Sequence, residues 1–128
     1  MPNRSEDWVR QARRDLDHAR RARESGDFEW ACFAAHQAAE KAVKAVYQAR
    51  GQEAWGHTLS ALLPGLLSDP EHDPLVARAK ALDKHYIPAR YPNGFASGAP
   101  MDFYTQEDAD KAILDAGTIL ERCERLLA

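Results

Sequence analysis

Phe28-Glu29-Trp30-Ala31-Cys32-Phe33-Ala34-Ala35-His36-Gln37-Ala38-Ala39-Glu40-Lys41-Ala42-Val43-Lys44-Ala45-Val46-Tyr47-Gln48-Ala49 is the stretch that decides the fold class. Phe28, Cys32, Ala35, Ala39, Ala42, Val46 and Ala49 recur at alternating gaps of four and three. That rhythm is one stripe of an α-helix, and no strand produces it. Ala31, Ala38 and Ala45 widen the stripe. Side chains this small let neighbouring helices approach closely, which suits the central helix of a bundle. Asp27 stands where a cap belongs, and Gly51 stops the element.

The same period extends on both sides. Before it, Trp8, Ala12, Leu16 and Ala19 form an apolar stripe, with Arg10, Arg13, Arg14, Arg20, Arg21 and Arg23 on the opposite face. Ser5 reads as the N-cap of that helix, Glu6 and Asp7 favour its positive end, and Gly26 closes it. After it, His57 to Leu63 predicts a short third helix interrupted by Pro64-Gly65. A fourth helix is expected from about Pro74, with Leu75, Ala79, Leu82 and Tyr86 on its apolar side and Pro88 as its end. Ile87 to Tyr104 reads as a long irregular segment rich in proline, glycine and aromatics. Loops of that length within a small domain are often functional. Thr105, helped by Glu107 and Asp108, caps a last helix whose stripe is Ala109, Ile113, Ala116, Leu120, Cys123 and Leu127.

The expected architecture is all-α: an up-and-down bundle of four long helices plus one short helix, forming one domain over residues 1–128. A chain of 128 residues with 45% hydrophobic and 29% charged residues can bury a real core. The net charge of −3 leaves no overall attraction to nucleic acid, so RNA binding would need a local basic patch. Cys32 and Cys123 both fall in helical segments and read as buried free thiols rather than a disulfide. No secretory signal and no membrane-spanning run is visible, which points to a cytoplasmic protein without membrane contact.

Three constellations could carry chemistry. Cys32, His36 and Glu40 lie four apart on one helical face and invite a metal reading. The competing reading is structural: His36 and Gln37 hydrogen-bond to a neighbouring helix and Glu40 pairs with Lys44. One helix alone makes a poor bundle metal site, so neither a metal nor another cofactor is expected. The second constellation is the run Ala81-Leu82-Asp83-Lys84-His85-Tyr86-Ile87-Pro88-Ala89-Arg90-Tyr91-Pro92-Asn93-Gly94. Here Arg90 and Lys84 could hold a phosphate, and Tyr86 or Tyr91 could stack on a base. Against it stands the reading of Tyr86 as core and of Arg90 as a clamp on the loop. The third pairs Arg78 with His85, seven residues apart and facing the same way if both are helical. A proton-transferring histidine beside an arginine that stabilises charge on phosphate would suffice for metal-independent RNA cleavage.

Four pieces of the chain resemble the HEPN family, in particular its small stand-alone prokaryotic type. They are Cys32 to Ala45; Gly56-His57-Thr58-Leu59 with Leu62-Leu63; Leu82-Asp83-Lys84-His85-Tyr86-Ile87-Pro88-Ala89-Arg90-Tyr91-Pro92; and Tyr104-Thr105 followed by Glu107-Asp108-Ala109. The resemblance implies a helical bundle, a homodimer, and association with a minimal nucleotidyltransferase in a toxin–antitoxin-type pair. It implies a nucleotide-binding module, for which Lys84, Tyr86, Arg90 and Tyr91 of the second constellation are the candidate nucleotide or phosphate contacts. For many branches it also implies a metal-independent endoribonuclease, with Arg78 and His85 as catalytic residues here. Active members carry a polar residue after the arginine, where this chain has Ala79. One branch has a tyrosine, modified with AMP, two residues after the histidine, where this chain has Ile87.

Overall fold

The computed structural model describes residues 3–128. It holds six α-helices: α1 (Ser5–Glu24), α2 (Phe28–Ala49), α3 (Leu59–Leu62), α4 (Leu75–Asp83), α5 (Pro100–Phe103) and α6 (Gln106–Leu127). Short 3-10 turns follow α3 at Leu63–Leu66 and precede α5 at Pro92–Gly94, and no strand occurs among the described residues. The all-α bundle expected from the sequence is what the chain adopts. Its fourth helix is short, at nine residues.

Helix α2 is the axis of the molecule. Ala31, Cys32, Ala35, Ala38, Ala39, Ala42, Val43 and Ala45 have no exposed surface. α1 and α6 pack against it, and α4 lies on α6. Ion pairs fix the order of the helices. Arg13 reaches Glu124 at 3.0 Å and Arg23 reaches Asp110 at 2.8 Å, so α1 runs antiparallel to α6. Lys41 pairs with Asp15 across α1 and α2, and Arg122 pairs with Asp73 at 2.7 Å, just ahead of α4. The apolar stripe of α6 buries Ala109, Ala116, Leu120 and Cys123, along with Ala112 and Ile119.

Local chemistry explains most boundaries. Gly26 has φ +80°, a left-handed value that lets the chain reverse between α1 and α2. At α6 the Thr105 hydroxyl accepts the Asp108 N–H at 3.2 Å, while the Asp108 carboxylate accepts the Thr105 N–H at 2.9 Å. Gly65 sits in the 3-10 turn because a Cβ there would collide with the Tyr47 hydroxyl, which donates to Leu62 O at 2.7 Å.

Two expected boundaries are corrected. Ser5 is the first helical residue of α1, not its cap; its N–H donates to the Asn3 side-chain oxygen at 2.9 Å, so Asn3 does the capping. Helix α4 ends at Asp83, one turn before Pro88. Pro88 has no N–H to give to the carbonyl four residues back, and its ring crowds that carbonyl. The turn from Lys84 onward therefore closes with tighter bonds, His85 N–H to Leu82 O at 3.0 Å and Tyr86 N–H to Asp83 O at 3.2 Å. Tyr86 accordingly leaves the apolar side of α4.

Candidate functional site

Where α4 gives way to the following turns, the chain folds back over the middle of α2. His36 of α2 has no exposed surface. Its Nε2–H donates to His57 O at 3.0 Å, and its Nδ1 accepts from the Gln37 amide at 3.2 Å. Both ring nitrogens are thus served in the neutral form, and burial pushes the imidazole pKa down, against the pull of Glu40 and Asp83. Glu40 pairs with Lys44 at 3.3 Å, as expected, and also with His57 Nδ1 at 2.9 Å. The structural reading of His36 and Glu40 therefore holds, except that His36 bonds to the segment ahead of α3 rather than to a helix.

This network sets the ring of Tyr86. It stacks on His57 with centroids 5.0 Å apart and planes at 15°, and it touches His36 and Phe33 at 5.2 and 6.1 Å. The Tyr86 carbonyl accepts the Arg90 Nε–H at 2.8 Å. That bond draws the Arg90 guanidinium into a box of three rings. Its central carbon lies 4.4 Å from the Phe33 centroid, 4.7 Å from Tyr86 and 5.1 Å from Tyr91. Each such face contributes about 0.5–1 kcal/mol where solvent reaches it, and more where it does not. No carboxylate among the described residues pairs with Arg90, so its terminal N–H groups keep their donors for another acceptor. Lys84 and Tyr91 are exposed on the same turns.

The other two candidates lie on the α6 side. Arg78 donates to Asp115 at 2.8 Å, and Lys111 reaches the other oxygen of the same carboxylate at 2.6 Å. Asp115 is 2% exposed, so the bundle holds a carboxylate beneath two cations. His85 shares a 2.9 Å hydrogen bond between Nδ1 and the Tyr104 hydroxyl. Burial lowers the His85 pKa, with Asp108 opposing, and Asp115 and Lys111 are also among the charges it feels. Burial raises the pKa of the Tyr104 phenol, keeping it protonated, so its hydroxyl can either donate to or accept from the ring. Arg78 and His85 do not share a helical face, since α4 has ended before His85; they meet through the charges of α6. The sequence candidates thus fall into two groups: Tyr86, Arg90 and Tyr91 over α2, and Arg78 with His85 against α6.

Several residues of this region were not singled out from the sequence as site residues. Phe33 and His57 are walls of the tyrosine–arginine box, although both lie within the stretches that carry the family resemblance. Asp83 accepts the N–H groups of Leu59 and Ser60 at 2.7 and 2.9 Å and ties the start of α3 to the end of α4. Asp115 had a signal: a lone acid inside the buried stripe of α6. Tyr104 lies in another of the stretches that carry the family resemblance, ahead of the capping Thr105.

Comparison with known proteins adds the following. The family model described as the HEPN domain matches residues 5–126. The chain is 25% identical over 124 residues to a Methanocaldococcus jannaschii protein named "Putative toxin MJ1304", covering 89% of this chain and 82% of that protein. Among solved structures, TT1696 from Thermus thermophilus superposes with a TM-score of 0.92 at 46% identity, over 98% of this chain and 99% of that one. ST0689, described as an archaeal HEPN homologue, gives a TM-score of 0.82 at 42% identity over all of both chains. The HEPN domain protein tm0613 from Thermotoga maritima gives 0.73 at 38% identity, over 94% of this chain and 97% of that one.

Proposed function

The chain belongs to the HEPN domain family, and from that premise we propose that residues 1–128 form one toxin-related HEPN module that holds a nucleotide or other phosphate-bearing ligand at Arg90. In this reading it works in the cytoplasm as a homodimer, paired with a minimal nucleotidyltransferase. The name of the M. jannaschii relative supports the toxin relation. No helix among the described residues is long and apolar enough to cross a membrane.

One observation carries the ligand reading. A guanidinium set among three aromatic rings has given up part of its hydration, yet no carboxylate among the described residues neutralises it. A cation so placed gains most from an anion that can take two of its N–H groups side by side, which is the geometry of phosphate. Lys84 adds a second positive charge on the same turns, and Tyr91 an exposed ring. The test is titration calorimetry with ATP on the wild type and on Arg90→Gln. Saturable binding that weakens tenfold or more in the variant supports the reading; equal affinity of the two proteins refutes it. The pairing is tested by native mass measurement after co-expression with a nucleotidyltransferase encoded beside it. Two copies of this chain bound to the transferase are expected, and absence of a complex removes that part of the proposal.

A second reading, a metal-independent ribonuclease, draws on His85. In the tautomer whose Nδ1–H donates to the Tyr104 oxygen, Nε2 is left to take the proton of a ribose 2′-hydroxyl, and burial favours the neutral imidazole. The 2′-oxygen would attack the phosphate and expel the 5′-oxygen, which takes up a proton as it leaves, while Arg78, shared with Asp115, neutralises the charge on the phosphate. RNA incubated in EDTA with wild type and with His85→Ala decides the matter: cleavage lost in the variant supports this reading, and no cleavage by either protein ends it.

A further inference from the structure

A cleft of about 280 Å³ opens between α1 and α2, immediately beside the Arg90 box. Trp30 and Phe33 form its aromatic side. Their centroids are 6.3 Å apart and their planes meet at 82°, so the two rings make an inside corner rather than a stack. Trp30 is half exposed, although it lies on the central helix of the bundle. Apart from Ala34, the rest of the rim is polar. Gln37 spends its amide nitrogen on His36, which leaves its carbonyl oxygen as an acceptor. His18 stands opposite on α1, and Lys41 is held in place by Asp15.

Phe33 belongs to both features. One face of its ring carries the Arg90 guanidinium, and the same side chain lines the cleft. The guanidinium and the Trp30 indole therefore both border the same phenyl ring. In a nucleotide, the first phosphate and the base likewise both border one sugar. An aromatic corner with hydrogen-bonding groups along its edge suits a flat heterocycle: one ring stacks on it, the other meets it edge-on, and polar rim groups address the ring nitrogens.

We propose that this cleft is a base-binding subsite, so that the ligand of the chain is a nucleoside phosphate whose base stacks on Trp30 while its phosphates meet Arg90. The inference rests on the phosphate reading of Arg90 and adds the part of the ligand that the arginine does not contact. His18 and Gln37 supply one hydrogen-bonding edge each, from α1 and α2. The base is held by the two long helices and the phosphate by the turns after α4, so the ligand bridges the two.

The probes are ATP and inorganic tripolyphosphate, titrated by calorimetry into wild type, Trp30→Ala, Trp30→Phe and Arg90→Gln, with helical content checked for each protein. ATP is expected to bind more tightly than tripolyphosphate. Trp30→Ala is expected to weaken ATP at least about fivefold, the lower bound for one stacked base, and to leave tripolyphosphate unchanged. Trp30→Phe keeps a ring in the corner and should recover most of the ATP affinity. Arg90→Gln should weaken both probes. If Trp30→Ala binds ATP as the wild type does, the base subsite is refuted while the phosphate site stands. If Trp30→Ala weakens ATP but Arg90→Gln weakens neither probe, the phosphate reading fails and the bridging ligand with it. If neither probe binds the wild type, both are refuted.

Discussion

The carboxylate of Asp83, the last residue of α4, accepts the N–H of Leu59, the first residue of α3, at 2.7 Å. Its second oxygen takes the N–H of Ser60 at 2.9 Å. An aspartate far along the chain thus performs the service that a local cap performs elsewhere, since the Thr58 side chain makes no capping bond. It also faces the positive end of a short helix that could not stand on its own.

Removing that cap should be felt. Asp83→Ala is expected to destabilise the protein by about 2 kcal/mol, the upper end for loss of a helix cap, because two N–H groups lose their acceptor together. Asp83→Asn keeps one acceptor and should lose about half as much. Thermal melts followed by circular dichroism would show a drop of roughly 8 °C for the alanine variant. A melting point within a degree of wild type would show that the pair contributes nothing.

Asp115 lies under Arg78 and Lys111, and its two cations back each other up. Arg78→Ala or Lys111→Ala alone leaves the buried carboxylate one partner, and each should destabilise by about 1–2 kcal/mol. The double variant strands the charge and should lose about 3–5 kcal/mol, more than the two singles together. Urea unfolding of the four proteins measures the coupling. Strict additivity would mean that water reaches Asp115 freely.

Acid should destabilise the bundle before its carboxylates titrate. Burial holds both His36 and His85 below the ordinary histidine pKa. The unfolded chain protonates these residues near ~6.5, and the folded chain does so only at lower pH. Below that point the unfolded state binds more protons, so stability falls as pH falls. The urea midpoint should be flat above about pH 7.5, lower at pH 5.5, and less pH-dependent in His85→Gln. Asp73 and Asp110, held down by Arg122 and Arg23, add their own loss only in the carboxylate range near and below pH ~4. A midpoint as high at pH 5.5 as at pH 7.5 would contradict this.

Cys32 and Cys123 are fully buried, and desolvation pushes both thiols up to about 12. Neither should react with a thiol reagent at pH 8 while the protein is folded, and both should react once guanidinium unfolds it. Labelling of native protein within minutes, read by intact mass, would show that the core opens locally far more easily than its packing implies.

The long helices were legible because their apolar residues keep a single period. Ala12, Leu16 and Ala19 in α1, the Cys32-to-Val46 stripe in α2, and Ala109, Ala116, Leu120 and Cys123 in α6 are buried as their spacing requires, with Ile113 packed against them only in part. The end of α4 was misplaced by a turn because a proline acts on the carbonyl four residues before it, so Pro88 halts the helix upstream of itself. Pattern reading singled out the run from Ala81 to Gly94 for the candidate site, without the partners it meets in the fold. The Phe33 and His57 walls come from elements far away in the chain, and the partnership of Arg78 with Asp115 spans 37 positions. No periodicity encodes such pairs. The expectation that one helix carries both Arg78 and His85 presumed a helix that Pro88 does not allow, although both side chains come to lie against α6.

The many methyl groups on α2 have one more consequence. Where two backbones meet through alanine, there is no longer side chain that can swing aside and later be reshaped. Enlarging Ala35, Ala39 or Ala42 would wedge whole rods apart rather than refit a neighbour. The centre of this molecule is therefore closed to tinkering, and any change of ligand or partner has to be written at its rim, in the proline- and glycine-rich turns after α4 and the exposed side chains facing them.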